Sequence, residues 1–416
     1  MEKCRYIELF AGVGGFHVGL DRADKDFFKC VMANQWEPGA KDQFAADIYR
    51  QRFPDDLLIN DDVNNIKGDE LEADLLMGGF PCQDYSVARN KSKSMGIEGK
   101  KGVLWWQVIR LIEEMKEKPK FLLFENVDRM LISPAKQRGR DFALIIQSLV
   151  NLGYDLEWRV IDASKYGMPQ KRKRIFIFAF LQGTFEINSP DDWLYKEGVL
   201  AKAFPVKSND EPMLWGLDGR FLGWDLYNLS KKFNKGNVTK NPFENGGVVV
   251  RGLVYTNRLE PEYNGPYTML GDILATGEDR NLITPEYYLT EAERVKWSYV
   301  KDHKEFTRVN KDGYEYTYSE GAMSFPDHLD RPARTLITSE VSTTPNRFTH
   351  IIKDPENGRL RRLIPLELER IQMFPDNHTE GITDKKRGFL MGNALVCGIV
   401  ERIGTELKKR IWKQEM

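Results

Sequence analysis

Short apolar runs recur along the first half of this chain, and each stops abruptly at glycine, proline or polar residues able to do chemistry. Tyr6-Ile7-Glu8-Leu9-Phe10 ends in Ala11-Gly12-Val13-Gly14-Gly15, and Phe28-Lys29-Cys30-Val31-Met32-Ala33 ends at Asn34-Gln35-Trp36-Glu37. Leu57-Leu58-Ile59 leads to Asp61-Asp62-Val63, and Leu75-Leu76-Met77 to Gly78-Gly79-Phe80-Pro81-Cys82-Gln83. Phe121-Leu122-Leu123-Phe124 ends in Glu125-Asn126-Val127. Runs of this length suit buried strands, and amphipathic stretches at residues 16–21, 102–118 and 142–152 suit helices between them. Strands alternating with helices predict an α/β fold. In an open sheet of that kind ligands bind outside the carboxyl ends of the strands, so the residues that end the runs face the ligand.

Cys82 leaves its strand through two glycines and a proline, an address suited to a nucleophilic thiolate. If the strands before Cys82 and Glu125 are parallel neighbours, thiol and carboxyl share one edge of the sheet. A strand over residues 154–163 is followed by the basic run Lys171-Arg172-Lys173-Arg174, which precedes Ile175-Phe176-Ile177-Phe178-Ala179-Phe180. Side chains alternate across a strand, so at least one of these arginines should point inward. The turn at Gly12, Gly14 and Gly15 allows close approach to a nucleotide-like cofactor but does not separate NAD from S-adenosylmethionine. Residues 87–102 carry five basic residues against one acidic residue and little apolar content. They predict a lid that closes over a polyanion.

The order of these stretches resembles the DNA (cytosine-5)-methyltransferases. The matching pieces are Phe10-Ala11-Gly12-Val13-Gly14-Gly15, Pro81-Cys82-Gln83, Glu125-Asn126-Val127, Gln170-Lys171-Arg172-Lys173-Arg174 and Gly392-Asn393-Ala394, spread over nearly the whole chain. The resemblance implies a mostly parallel, Rossmann-like sheet that binds S-adenosylmethionine, with a smaller, irregular β-rich target-recognition domain. It implies Cys82 as the nucleophile, Glu125 as the acid, Arg174 at the carbonyl oxygen of a flipped cytosine, and Arg172 in support of the Cys82 neighbourhood. By the same match Phe10 and Trp36 lie against adenine, Asp62 faces its amino group, and Asn393 lies near the methionine moiety. The family usually has a glutamate where this chain has Gln35, so the ribose falls to Gln35 or Glu37. Ser86 matches a phosphate-contacting position, and Arg89, Lys91, Lys93 and Lys100 extend that surface along the lid.

Composition adds bounds. A chain of 416 residues makes a large domain and at least one smaller one, and its formal net charge of −1 gives no global sign of nucleic-acid binding, so local charge must decide. The four cysteines and five histidines lack metal-ligand or disulfide spacing, and no metal is expected. No apolar stretch reaches 18 residues, which predicts a cytoplasmic protein without a membrane partner.

From 181 to 330 turn signals multiply around short β-rich runs such as Gly247-Val248-Val249-Val250, and aromatics interleave with cations, as in Lys231-Lys232-Phe233-Asn234-Lys235. The expected organisation is a catalytic and cofactor domain over 1–180, a recognition domain with its supporting segments over 181–380, and a return to the catalytic domain over 381–416. The expected partners are double-stranded DNA and a separate restriction endonuclease acting on the same site, without physical contact; the chain itself is expected to be monomeric. A tRNA cytosine methyltransferase shares this architecture, although the long middle region favours duplex reading. An NAD-dependent oxidoreductase leaves Cys82 and Glu125 unexplained, and a non-enzymatic DNA-binding regulator has no need of that pair.

Overall fold

The computed structural model describes residues 3–80, 103–207, 215–217, 225–237, 240–309 and 313–415. Packing divides the chain into two units. The first holds residues 1–166, 173–265 and 397–416, and the second holds 167–172 and 266–396.

The first unit is built on one ten-stranded sheet. In chain order its elements are β1 (Cys4–Leu9), α1 (Gly15–Asp24), β2 (Phe28–Asn34), α2 (Phe44–Arg52), β3 (Leu58–Ile59), β4 (Leu75–Gly79), α3 (Val103–Glu114), β5 (Phe121–Val127), α4 (Arg140–Asn151), β6 (Tyr154–Asp162) and β7 (Lys173–Leu181). The short α5 (Pro190–Asp192) and α6 (Val199–Ala203) follow, then β8 (Trp215–Leu217), α7 (Leu226–Lys232), β9 (Gly246–Val250) and β10 (Leu253–Asn257). The strand order is β3-β2-β1-β4-β5-β7-β6-β9-β10-β8. The first five are mutually parallel, and every later pairing is antiparallel. Thus β1–β6 and β10 point one way and β7–β9 the other, which bears out a mostly parallel α/β sheet. Gly247-Val248-Val249-Val250, placed by sequence in the middle region, lies in β9, which pairs with β6 and continues this sheet.

The central strands are covered on both faces, which is why they read as continuous apolar runs rather than alternating ones. Leu75, Leu76, Leu122 and Leu123 are almost wholly buried. Trp105, Val108, Leu111 and Ile112 of α3, and Met115 just after it, recur at helical spacing and are all buried, and the Trp105 indole donates to Ser148 Oγ at 3.0 Å. Phe142, Ile145, Ile146 and Leu149 make the corresponding buried stripe of α4.

The second unit contains α8 (Glu291–Lys301), the ribbon β11 (Lys304–Val309) with β12 (Glu315–Glu320), the shorter ribbon β13 (Ile351–Lys353) with β14 (Leu360–Arg362), α9 (Pro365–Ile371) and α10 (Asp384–Asn393). Its interior is mainly apolar but also encloses several charged side chains. Arg361, fully buried, pairs with Asp354 at 2.7 Å and with Glu367 at 2.7 Å. A charge so desolvated is tolerable only because every carboxylate around it is paired or hydrogen-bonded. The last helix, α11 (Cys397–Glu415), returns to the first unit and packs along α1, where Gly19 lies so close to Val400 that no side chain would fit.

Candidate active site

The carboxyl ends of β1, β2, β3 and β5, with the start of β7, bring ten of the sequence-predicted residues to one edge of the first unit: Phe10, Gly12, Gly14, Gly15, Gln35, Trp36, Glu37, Asp62, Glu125 and Arg174. Gly79 of β4 lies in register with Glu125 of β5. Glu125 Oε1 accepts from Arg174 Nε at 2.8 Å, with both side chains mostly buried. One arginine of the basic run therefore does turn inward, and it meets the acid. Asn126, 3% exposed, donates through Nδ2 to the Phe80 carbonyl at 2.8 Å, while its Oδ1 accepts from the Val127 amide at 2.8 Å. Phe80 is itself buried between Trp105 and Phe124, at ring-centroid distances of 4.9 and 5.9 Å. The chain entering Pro81 and Cys82 is thus fastened to the strand that carries the acid. Cys82, Ser86, Arg89, Lys91, Lys93 and Lys100 lie outside the described residues.

The glycine-rich turn supplies a concave end to β1. Phe10, Gly12 and Gly14 all have positive φ, at 56°, 57° and 83°. Gly12 and Gly14 meet that geometry at little steric cost, whereas Phe10 is held in it by its surroundings. A Cβ added at Gly12 would meet nothing within 4 Å, so this part of the turn faces open space. Gly15 begins α1 directly behind it. The turn is also braced from β2, since the Gly12 amide donates to Gln35 Oε1 at 2.7 Å. Gln35 is buried and its amide oxygen is spent on the turn; Glu37 is half-buried, and its carboxylate has no partner among the described residues. Trp36 between them is 39% exposed, which rules out a core role for its ring. Asp62 caps the turn that follows β3, its Oδ1 accepting from the Asn64 amide at 2.9 Å. An open glycine, an exposed indole and an unpaired carboxylate at adjacent strand ends fit an adenosine with a free ribose.

The remaining predicted residues belong to the second unit. Arg172 is buried, and its guanidinium donates to the carbonyls of Leu336 at 3.4 Å and Gly392 at 3.2 Å. Asn393, exposed, is the last residue of α10. Gln170 is more central than its sequence suggests. Its Nε2 donates to Gln372 Oε1 at 3.0 Å, its Oε1 accepts from the Leu336 amide at 3.0 Å, and Gln372 in turn donates to the carbonyls of Met391 and Ala394 at 2.6 and 2.9 Å. The Gly392-Asn393-Ala394 segment is thereby tied to the basic run that precedes β7.

One group beneath the glycine turn is barely legible in the sequence. His17 Nδ1 lies 3.1 Å from Asp56 Oδ2, its Nε2 lies 3.4 Å from Asp21 Oδ2, and its ring stacks on Phe53. Burial opposes charge on the imidazole, but hydrogen bonds to Asp21, Asp56 and Cys30 outweigh it and push the pKa up to about 11. Glu8, fully buried, accepts from the Phe16 amide at 3.3 Å; burial raises its pKa to about 8 against the opposing His17 charge. The one available signal was Glu8 itself, a charged residue inside an apolar run. Cys30 lies in the same group, and atoms of His17, Cys30 and Asp56 come within 4.8 Å of one another. Both ring nitrogens of His17 face carboxylates, so the group reads as a hydrogen-bonded support for α1.

Comparison with known proteins gives one answer. A family model described as C-5 cytosine-specific DNA methylase matches residues 4–409. The chain is similar to the Type II methyltransferase M.Sau3AI of Staphylococcus aureus, at 42% identity over 417 residues covering 98% of this chain and 96% of that protein. It is also similar to the Type II methyltransferase M.NlaIV of Neisseria lactamica, at 29% identity over 449 residues covering 98% and 99%. Among solved structures, the S. pombe Dnmt2 methyltransferase shares the fold, with a TM-score of 0.60 at 18% identity covering 98% of this chain and 99% of that one.

Proposed function

The chain belongs to the C-5 cytosine-specific DNA methylases, and from that premise we propose how its own residues divide the work. It is a sequence-specific DNA (cytosine-5)-methyltransferase dependent on S-adenosylmethionine, and its target base must leave the helix because no side chain reaches ring carbon 6 inside the stack. The observation that carries the assignment of roles is the Glu125–Arg174 pair, set beside the Asn126 bond that fastens Phe80, two residues before Cys82.

Cytosine carbon 5 is a poor nucleophile. In our reading Cys82 attacks carbon 6 as a thiolate while Glu125 delivers a proton to ring nitrogen 3, and the added electron density makes carbon 5 reactive. S-adenosylmethionine supplies, when bound, an electrophilic methyl on its sulfonium sulfur. A base then takes the carbon 5 proton as the Cys82 thiolate departs, and the nitrogen 3 proton returns to the Glu125 carboxylate, which restores the ring. Arg174 orients the Glu125 carboxyl through Nε and can reach the base carbonyl oxygen with the rest of its fork, a geometry a lysine does not offer. Arg172 acts at longer range, by holding Leu336 and Gly392.

For the cofactor, Phe10 and Trp36 take the adenine, Asp62 its amino group, and Gly12, Gly14 and Gly15 the close approach of backbone. We assign the ribose to Glu37 and the bracing of the turn to Gln35, because the Gln35 amide oxygen already accepts from Gly12 while the Glu37 carboxylate has no partner among the described residues. Asn393 approaches the methionine moiety, and Ser86, Arg89, Lys91, Lys93 and Lys100 contact DNA phosphates. Catalysis and cofactor binding belong to 1–180, target recognition to 181–380, and the closing helix to 381–416. The protein works as a cytoplasmic monomer that protects host sites from a separate endonuclease. Among the described residues no helix is long and apolar enough to cross a membrane.

The test is duplex DNA whose target cytosine carries fluorine at carbon 5, offered beside tRNA with the same cofactor. The expected result is a denaturation-resistant adduct with DNA, mapped by peptide mass spectrometry to Cys82. An adduct at Cys4, Cys30 or Cys397 would refute the catalytic assignment, and one with tRNA alone would replace the substrate.

A further inference from the structure

We propose that the first unit carries a second DNA-binding surface that grips the phosphates of duplex flanking the target site. It is formed by residues 134–138, on the segment between β5 and α4, together with the end of α7 and the turn that follows. The proposal rests on the DNA-methyltransferase reading and adds to it a surface for DNA outside the recognition sequence.

Two stretches distant in sequence are brought together here by side-chain bonds to backbone. Gln137 Nε2 donates to the carbonyls of Ser230 at 3.3 Å, Lys231 at 3.4 Å and Phe233 at 3.1 Å. Asn234 Nδ2 returns the link, donating to the carbonyls of Arg138 at 2.8 Å and Lys240 at 2.9 Å. The clasp gathers Lys136, Arg138, Lys231, Lys232, Lys235 and Lys240 onto one surface. Lys136, Lys232, Lys235 and Lys240 are exposed and have no ion-pair partner among the described residues.

The nearby acids do not neutralise it. Asp141 is spent on Arg140 and Ser133, and Asp225 caps the far end of α7 by accepting from the Asn228 amide at 2.8 Å. Glu244 is exposed and has no ion-pair partner among the described residues, a single charge against the lysines of the patch. Lysines in the last turn of a helix complement its dipole, which accounts for Lys231 and Lys232. It does not account for Lys136, Lys235 and Lys240, which lie beyond any helix and, with the others, raise the local repulsion that the clasp must overcome. A polyanion relieves that repulsion, and this enzyme acts on one. The patch is reached by the chain directly after the acid, since β5 ends at Val127 and residues 128–139 lead from the carboxyl edge of the sheet to α4. The class of ligand is therefore duplex phosphate backbone, bound without sequence preference.

The test compares the full-length wild-type protein with a Lys136→Ser, Lys232→Ser, Lys235→Ser, Lys240→Ser variant on two duplexes. One just spans the recognition site, and the other extends it by two helical turns on each side. A control variant removes equal charge at the amino edge of the sheet, at Lys25, Lys29, Lys116 and Lys120. The wild type should bind the long duplex more tightly than the short one. The patch variant should lose that difference, with its salt slope reduced by about 0.9 per phosphate contact, up to about 3.6 for four. The control and the four Lys→Arg replacements should keep the length effect. A patch variant that keeps the length effect and slope would overturn the proposal, as would equal losses in the control. Binding to anionic lipid vesicles that depends on these lysines, with DNA affinity unchanged, would assign the patch to a membrane surface instead. Absence of any methyl transfer by the wild type would fail the enzymatic reading and not this surface.

Discussion

Glu125 and Arg174 meet diagonally across an antiparallel ladder. Glu125 is in register with Phe176 and Arg174 with Val127, so Nε reaches Oε1 at 2.8 Å from a position two residues along the neighbouring strand. Strand geometry fixes that diagonal, and partial burial shields the pair from salt. An acid in this place is aimed before substrate arrives. Replacing Glu125 by Gln keeps a hydrogen-bonding partner for the base but removes the transferable proton, and kcat should fall by about 10²- to 10³-fold. Arg174→Lys should be nearly as damaging as Arg174→Ala, because a point charge does not reproduce the guanidinium fork. Methyl transfer from labelled cofactor measures both; a kcat within twofold of wild type in either Glu125→Gln or Arg174→Lys would reject the pair as catalytic.

Trp36 and Glu37 should separate from Gln35 in cofactor binding. Loss of an exposed aromatic stack costs about 1 kcal/mol, so Trp36→Ala should weaken S-adenosylmethionine binding about fivefold with DNA affinity intact. Glu37→Ala removes charge-assisted bonds to ribose and should cost about 2 kcal/mol, or roughly thirtyfold. Gln35→Glu keeps an acceptor for the Gly12 amide and should be mild. Calorimetry with the cofactor alone reads all three, and the ribose assignment reverses if Gln35→Ala is worse than Glu37→Ala in a protein of unchanged melting temperature.

How far the sequence carries depends on the range of the interaction. The strand edges at Gly12, Trp36 and Glu125 were legible because each is a local event, an apolar run stopped by a residue of different chemistry. The direction of β7 and the union of β6 with β9 were not, since antiparallel pairing across long connections leaves no mark on either strand. The same holds for Gln170, whose three partners come from residues 336 and 371–372, and for His17 with Asp56 beneath the turn. In the basic run the sequence showed that an arginine would turn inward, but not that Arg174 would face the acid while Arg172 would be consumed by backbone carbonyls.

Glu8 and His17 make the fold sensitive to alkali. Burial raises Glu8 from its ordinary 4.5 to about 8, so the folded chain keeps a proton there that the unfolded chain loses above 4.5. That contribution is complete below about pH 4.5 and is lost as pH rises through 8. His17, raised from 6.5 to about 11 by Asp21 and Asp56 despite burial, contributes fully below 6.5 and loses that stability as pH rises through 11. Between pH 6.5 and 8 both act in the same direction, and the melting temperature should fall as pH increases. Glu8→Gln should flatten this dependence by up to about 1.4 kcal/mol per pH unit. Melts of both proteins from pH 6 to pH 9 check it, and parallel curves would exclude Glu8.

Gly12 and Gly14 share the left-handed conformation but not the surroundings, and alanine at each should fail for a different reason. At Gly14, with φ 83°, the new methyl would collide with the ring of Phe53, which stacks on His17. Backbone strain and the displaced ring together should cost about 2 to 4 kcal/mol of stability, and cofactor binding would fall only as the folded fraction does. At Gly12, with φ 57°, the methyl would enter open space and the cost should be near 1 kcal/mol of strain. That space is where the proposal puts the cofactor, so Gly12→Ala should remain folded and lose S-adenosylmethionine affinity by tenfold or more. Thermal denaturation separates the two effects, and titration with cofactor at a temperature where both variants are folded completes the comparison. A folded Gly12→Ala protein with wild-type cofactor affinity would show that the turn is a structural bend and that the pocket lies elsewhere.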